Sequence, residues 1–207
     1  EAYGVGPDRL AVVPLSVSSD FHPGRAADAE AGLAALGVRG HYVVAVGGAR
    51  RRGLPVAVAA WKTVRRELPD RDLQLVVVGP ERPPEEPGLV HAGSVDDRTW
   101  AALLAGADAL CYPTRYEGYG LPALEACASG TAVVCAPVGA LGEVLGDAAE
   151  WAEAPTVEAI AAALGRVLED TDRRQEIEAA GLRRVATGPD WADVAALTAD
   201  AYRRARG

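Results

Sequence analysis

The chain has 207 residues, of which 49% are hydrophobic, and it carries a formal net charge of −8. This length suits one sizeable α/β domain with or without an appendage, and the hydrophobic content is typical of a globular chain rather than a disordered one. The negative charge argues against nonspecific nucleic-acid binding. No apolar run approaches the roughly 18 residues that cross a bilayer. No signal peptide pattern begins at Glu1.

Residues 1–25 do not have the pattern that opens a domain. Residues 9–14 are predicted to form a short strand with no earlier strand to pair with, and residues 21–24 indicate a turn or linker. An unpaired strand leaves backbone groups without partners. We therefore expect this strand either to pack on the domain surface or to pair between molecules.

Strand and helix patterns alternate from about Asp28 onward. The predicted strands, most of them apolar at consecutive positions, are residues 42–46, 73–78, 89–92, 109–112, 132–135 and 149–152. The predicted helices are residues 54–68, a helix capped by Asp96 or Asp97, residues 157–169, residues 172–185 and a last helix capped by Asp190. This alternation predicts an α/β fold with a doubly wound parallel sheet, similar to a Rossmann fold.

The cysteines and histidines predict no metal site. Cys111, Cys127 and Cys135 lie among apolar residues without a zinc-binding spacing, and the three histidines are scattered. Reduced core thiols are typical of a cytoplasmic protein. The single lysine, Lys62, among many arginines suggests a high-GC bacterial source.

A basic loop follows the first predicted strand of the sheet. Gly47 and Gly48 end this strand, and Arg50, Arg51 and Arg52 come shortly after it. Guanidinium groups bind phosphate in bidentate fashion and stay charged, so the loop is a candidate site for a diphosphate. The alternative is a solvated basic turn, and that alternative stays open above all for Arg51.

Two carboxylates eight positions apart, Glu117 and Glu125, follow the strand predicted at residues 109–112. Gly118 and Gly120 lie between them, and Pro122 suits the first turn of a helix, which would place Glu125 in that turn. Backbone amides at a helix start favour an anion, and carboxylates bind hydroxyl groups. A nucleotide sugar carries both kinds of group. The alternative is a surface loop followed by a solvated helix face.

These residues also carry a family resemblance. Residues 117–134 resemble the Glu-x7-Glu signature of retaining GT-B glycosyltransferases, the glycosyl transferases group 1 family. Residues 43–54 resemble the first strand and basic loop of the donor domain in that family, residues 75–79 its second strand, and residues 93–97 its loop near the base. The resemblance covers nearly the whole chain and implies the carboxyl-terminal, donor-binding half of a GT-B architecture.

The resemblance implies a role for each matching position. Glu117 matches a residue that contacts the transferred sugar, Glu125 one that holds the ribose hydroxyls, and Arg52 a position usually held by lysine that stabilises the departing diphosphate. The other implied donor-binding residues are Gly47, Gly48, Arg50, Gly79, Val95, Asp97, Gly118, Tyr119, Gly120 and Leu121. Two of these have alternatives: Gly79 also suits a plain tight turn, and residues 94–97 also suit a plain helix cap.

Three details qualify the match. The ring of Tyr119 either walls the sugar pocket or packs, and we favour packing for the ring and binding for the neighbouring amides. Gly48 stands where the family often has arginine, so that role passes to Arg50 or Arg51. Ser16 stands where the family usually has glycine, near the domain junction.

The reaction implied moves a sugar from a nucleoside-diphosphate sugar to an acceptor hydroxyl with retention, without a metal or other cofactor. Residues 1–25 would then be a remnant of the amino-terminal domain and linker, residues 26–189 the nucleotide-sugar-binding domain, and residues 190–207 a terminal helix. We expect the unidentified acceptor, and any peripheral membrane contact, to belong to the missing amino-terminal domain, so that this chain alone transfers little sugar. The alternatives are a sugar-nucleotide epimerase or phosphorylase on the same fold, or a non-catalytic nucleotide-sugar-binding module.

Overall fold

A six-stranded parallel sheet forms the centre of the protein. The computed structural model describes residues 4, 6 and 9–206, with residues 28–32 described for their backbone only. The strands are β1 (Tyr42–Val46), β2 (Gln74–Val78), β3 (Leu89–Gly93), β4 (Ala109–Tyr112), β5 (Val133–Cys135) and β6 (Glu150–Trp151). They lie in the order β3-β2-β1-β4-β5-β6, and every pair is parallel.

Eight α-helices are described around this sheet. They are α1 (Ala26–Ala35), α2 (Leu54–Glu67), α3 (Asp97–Ala105), α4 (Leu121–Ala128), α5 (Leu141–Leu145), α6 (Val157–Glu169), α7 (Thr171–Ala186) and α8 (Trp191–Arg206). Single turns of 3₁₀ helix occupy Pro23–Arg25, Arg50–Arg52 and Pro69–Arg71.

The central strands β1, β2, β4 and β5 are buried on both faces, which explains their continuous apolar sequences, whereas β3 at the sheet edge is half-buried. Val43 and Ala45 of β1 belong to one core cluster, together with residues of α2 and α6, and Val44 and Val46 belong to the other, together with residues of α3, α4 and α5. Successive side chains of a strand point to opposite faces, so both faces need apolar residues when helices cover them. The doubly wound parallel sheet predicted from the sequence is therefore confirmed.

Most elements lie where the sequence predicted them. All six strands are confirmed to within two residues at either end, and α6 has the predicted bounds. Asp96, not Asp97, is the cap of α3, because its carboxylate accepts the Thr99 backbone N–H at 2.7 Å. The prediction that Glu125 lies in the first turn of its helix is wrong: α4 begins one residue before Pro122, so Glu125 falls in the second turn.

The strand predicted at residues 9–14 is wrong for this structure. Residues 10–18 have no regular secondary structure. They lie against the domain surface, where the Leu15 carbonyl accepts the Tyr119 hydroxyl at 2.8 Å. Pro14 lacks an N–H to donate to a sheet ladder, and six other strands complete the described sheet.

Two further features concern the surface and the thiols. Among the residues described, no helix has both the length and the apolar character that crossing a membrane requires.

Cys111, Cys127 and Cys135 are free thiols, and all three are buried. Desolvation raises the pKa of the Cys111 thiol to about 12.

Candidate functional site

The loops that leave β1, β2, β3 and β4 meet at one edge of the sheet. Parallel strands end at the same edge, and chain order reverses between β1 and β4, which is where open α/β sheets bind ligands. The structure brings all the predicted site residues to this edge: residues 47–52 follow β1, Gly79 follows β2, residues 95–97 follow β3 and residues 117–125 follow β4.

Backbone contacts join the β1 and β4 loops. The Arg51 carbonyl accepts the Arg115 N–H at 2.7 Å and the Thr114 hydroxyl at 3.2 Å. Gly53 has a left-handed φ of 70°, and a Cβ there would collide with the Pro113 carbonyl. Glycine at position 53 thus allows the two loops to touch, and the Arg51 side chain reaches across their junction.

Glu117 is a largely buried carboxylate with three donors. One oxygen accepts the Tyr112 hydroxyl at 2.5 Å and the Arg51 Nη1–H at 3.0 Å, and the other accepts the Gly118 N–H at 3.1 Å. Only 11% of the side chain is exposed. Burial alone would raise the pKa of Glu117, but the bonds from Tyr112 and Arg51 outweigh it and hold the pKa below its ordinary value.

Tyr112→Phe is expected to raise the pKa of Glu117, because it removes one of the donors that favour the carboxylate. A depressed carboxyl pKa stabilises the fold above the unfolded-state pKa and loses that contribution as pH falls through the folded-state value. The free energy of unfolding of the variant should therefore be lower than that of the wild-type chain by about 1.5 kcal/mol at neutral pH, and by less in acid. Nuclear magnetic resonance titration of Glu117 and urea unfolding measure both effects. Tyr116→Phe is the matched control, since its ring is 66% exposed, and an unshifted Glu117 in Tyr112→Phe would contradict the assignment.

Glu125 has a different environment from Glu117. The Trp100 indole N–H donates to Glu125 Oε2 at 2.7 Å, from α3 to α4. Burial raises the pKa of Glu125, and the nearby Asp97 carboxylate adds to this, while the Trp100 bond and the Arg52 charge oppose it. The two predicted acids thus differ: Glu117 is held as a carboxylate, and Glu125 is closer to taking up a proton.

Arg52 lies near Glu125 and near Tyr112, the donor to Glu117. The Arg52 charge lowers the pKa of Glu125 and opposes the rise that burial causes in the pKa of Tyr112. Arg52 Nη1–H donates to the Gly47 carbonyl at 3.3 Å, while the buried Nε atom has no acceptor among the described residues. Arg50 is exposed beside it. A half-buried guanidinium with an unused donor suits an oxygen-rich anion.

The start of α4 supplies further donors. Within the described part of the chain, the N–H groups of Gly120 and Leu121 have no protein acceptor. Gly120 has φ 100°, and a Cβ there would lie 2.5 Å from Leu141 Cδ2, so only glycine fits. The Tyr119 ring packs on the core, and the Gly118 amide is taken by Glu117. The N–H groups of Gly120 and Leu121 are thus left without an acceptor among the described residues.

The other predicted residues have structural contacts. Gly79 has φ 124°, and a Cβ there would lie 2.6 Å from the Gly47 carbonyl oxygen, so glycine keeps the β1 and β2 loops close. The Gly48 N–H donates to a Glu81 carboxylate oxygen at 3.1 Å. The Val95 side chain packs against the core, which leaves only its backbone for a ligand.

Four residues at this edge went unnoticed as site residues in the sequence. Tyr112 and Trp100 hold the two acids, and Glu81 holds the Gly48 amide. Gly139, after β5, has φ 56° and no room for a Cβ against the Glu117 backbone, and the next residue, Ala140, donates its N–H to the Glu117 carbonyl at 3.1 Å. The sequence offered a signal for only one of the four: a glycine shortly after a predicted strand indicates a tight turn, and Gly139 follows the strand predicted at residues 132–135.

A cavity of about 630 Å³ lies beside the site rather than in it. Residues 12–17 line one side, and Gly118, Tyr119 and residues of α4, α5 and the end of α7 line the other. Its lining includes neither Arg52 nor Glu125, so this cavity does not contain the arginine and carboxylate edge.

Comparison with known proteins decides the family. The sequence profile described as "Glycosyl transferases group 1" matches residues 40–170. The chain belongs to this glycosyltransferase family. A mannosyltransferase of Mycolicibacterium hassiacum, "MMP alpha-(1->4)-mannosyltransferase", is 35% identical over 98% of the chain and 50% of its own length. The chain spans about half the length of the curated relatives it matches.

Solved structures of other proteins share the fold. The carboxyl-terminal domain of a group 1 family protein from Francisella tularensis aligns with a TM-score of 0.63 at 21% identity, over 83% of this chain and 94% of that one. An Anabaena protein, HepE, solved in complex with UDP and glucose, aligns with a TM-score of 0.73 at 17% identity, over 88% of this chain and 55% of that one. The resemblance to GT-B glycosyltransferases predicted from the sequence is confirmed.

Proposed function

We propose that this glycosyltransferase chain is the donor-binding half of a retaining enzyme that transfers a sugar from a nucleoside-diphosphate sugar to an acceptor hydroxyl. The observation that carries the proposal is the basic loop after β1, at the reversal point of a doubly wound sheet: Arg51 donates to Glu117 at 3.0 Å, and the adjacent Arg52 acts on Glu125. Positive groups and hydroxyl acceptors are then close enough to hold the two ends of one nucleotide sugar.

The diphosphate is assigned to Arg52 and to the start of α4. The Arg52 guanidinium and the amides of Gly120 and Leu121 all present N–H donors. When the bond between the sugar and the diphosphate breaks, negative charge grows on the bridging oxygen, and fixed donors lower the energy of that state. These groups supply the charge that a divalent ion would otherwise provide, which supports a metal-independent reaction.

Each acid is assigned to one part of the donor. Glu125 lies at the α3–α4 contact beyond the diphosphate donors and suits the ribose diol. Glu117, at the β4 loop, suits the hydroxyls of the transferred sugar. Because Glu117 is already stabilised as a carboxylate by three donors, it is a hydroxyl acceptor rather than a base that takes up a proton.

Two comparisons support the assignment of this chain to the carboxyl-terminal half of the enzyme and of a nucleotide sugar as its ligand. The Francisella domain that aligns along 94% of its length is the carboxyl-terminal part of its protein. The Anabaena protein of the same fold carries UDP and glucose. The acceptor and any membrane contact are assigned to a further domain, so the chain alone is proposed to transfer little sugar.

Titration calorimetry of the chain with UDP, GDP and ADP tests the proposal. At least one diphosphate is expected to bind below millimolar concentration, with affinity unchanged by EDTA. Glu125→Ala should weaken that binding roughly tenfold, while Glu117→Ala should weaken only the sugar-bearing donor. The absence of binding at millimolar ligand, or unchanged binding in Glu125→Ala, would refute the assignment.

The rival activities give different products from the same donor. An epimerase would convert the nucleotide sugar without an acceptor, a phosphorylase would need inorganic phosphate, and a binding module would leave the donor intact. Retention is tested by the anomeric configuration of the sugar that slow hydrolysis releases first, which should match the donor.

A further inference from the structure

Trp100 makes a polar contact that its place in a helix does not require. It is the fourth residue of α3, and its indole N–H donates to Glu125 Oε2 at 2.7 Å. The two residues stand 25 positions apart in the chain. The ring is partly buried and packs against the core, so the indole direction is fixed by its surroundings.

This contact decides which part of the Glu125 carboxylate is left for a ligand. An ionised carboxylate has two acceptor oxygens with about four lone-pair sites between them, and the indole occupies one site on Oε2. The contact also fixes the plane of the carboxylate, since a bond at one oxygen resists rotation about the last side-chain torsion. Glu125 Oε1 has no donor among the described residues, so both of its lone pairs are left for a ligand, and the indole bond at Oε2 holds its orientation.

We propose that Trp100 is a positioning residue for the nucleoside, which through Glu125 sets the preference of this site for ribose over 2′-deoxyribose. The inference rests on the proposed function, because it takes the ligand of Glu125 to be the ribose of a nucleoside diphosphate. A carboxylate held in one plane accepts both hydroxyls of a vicinal diol, whereas a freely turning one gains less from the second hydroxyl.

The charges near Glu125 act in opposite directions, and this contact adds to the one that favours the carboxylate. Asp97 lies on the same helix as Trp100 and its negative charge disfavours a second carboxylate nearby, while Arg52 favours it. The indole N–H adds a neutral donor on the side of α3, where the charged group that acts on Glu125 is the acidic Asp97. It therefore favours the ionised carboxylate without bringing a further charge that would compete for the diphosphate.

Calorimetry with UDP or GDP, whichever binds more tightly, and with its 2′-deoxy form measures the preference as a ratio of dissociation constants. The wild-type chain should prefer ribose roughly tenfold, since loss of one hydrogen bond to a charged acceptor is of that order. Trp100→Phe should reduce the ratio to about two and leave the affinity for inorganic pyrophosphate unchanged. A general loss of structure would weaken pyrophosphate binding as well.

Trp151→Phe is the matched control. Its indole N–H also donates to an oxygen, the Gly146 carbonyl at 3.0 Å, but it lies on β6 at the far edge of the sheet. This variant should keep the wild-type ratio. Glu125→Gln should lower the ratio as Trp100→Phe does, and the double variant should lower it no further.

A measurement on the wild-type chain covers the case in which Trp100→Phe does not fold. The indole N–H resonance of Trp100 should shift when the ribonucleotide is added and stay in place with pyrophosphate. If Trp100→Phe keeps the wild-type ratio, or that resonance does not respond to the ribonucleotide, the inference is overturned. If the wild-type chain binds no diphosphate at all, the proposed function itself fails, and the two failures are thereby distinguished.

Discussion

Gly139→Ala is expected to destabilise the protein by roughly 3 kcal/mol, although Gly139 is exposed to solvent. Gly139 has φ 56°, a conformation that costs an alanine about 1 kcal/mol or more, and the added Cβ would overlap the Glu117 backbone. The overlapped atoms are main chain and cannot turn aside, so the β4 loop has to move. The bond from the Ala140 N–H to the Glu117 carbonyl should weaken with it.

Urea unfolding measures this loss, with Gly142→Ala as the matched control. Gly142 lies three residues further on, in α5, and a Cβ there meets nothing within 4 Å. Alanine at this helical position should leave stability unchanged or raise it by up to about 1 kcal/mol. Equal stability of the two variants would show that the Glu117 loop is not held by close contact at Gly139.

Arg52→Ala is expected to lower the affinity for a nucleoside diphosphate roughly 100-fold with little loss of stability. Two hydrogen bonds between charged groups account for a change of that size. The fold should tolerate the change, because Arg52 gives it one long bond, to the Gly47 carbonyl at 3.3 Å, and its Nε has no acceptor among the described residues. A residue that contributes little to the fold and much to binding is the signature of a ligand contact.

Calorimetry and thermal unfolding of the same samples separate the two effects. Arg52→Lys keeps the charge but not the fork of donors, so it should recover part of the affinity. Arg66→Ala removes an exposed arginine from α2, where its Nε–H donates to the Lys62 carbonyl, and should leave binding unchanged. If Arg52→Ala binds the diphosphate as tightly as the wild-type chain, the diphosphate does not lie at Arg52.

The sequence predicted the architecture because each element is specified locally. A strand covered on both faces must be apolar throughout, and β1, β2 and β4 have that pattern, so their positions followed from neighbouring residues alone. A helix in contact with the sheet repeats its apolar residues every three to four positions, as α2 does. The site could be predicted to the same extent, because parallel strands end at one edge and the arginines and acids directly follow those ends.

The tertiary structure alone decided which side chains support the site. Trp100 had an apolar helical position and Tyr112 ended a buried strand, so both looked like core residues in the sequence, yet each donates to a predicted acid. Gly139 gave no sign of the Glu117 backbone that it touches, 22 positions earlier in the chain. Local patterns record whether a residue is buried, whereas the partner of a buried polar atom depends on how distant elements pack, and that is set only when the chain folds.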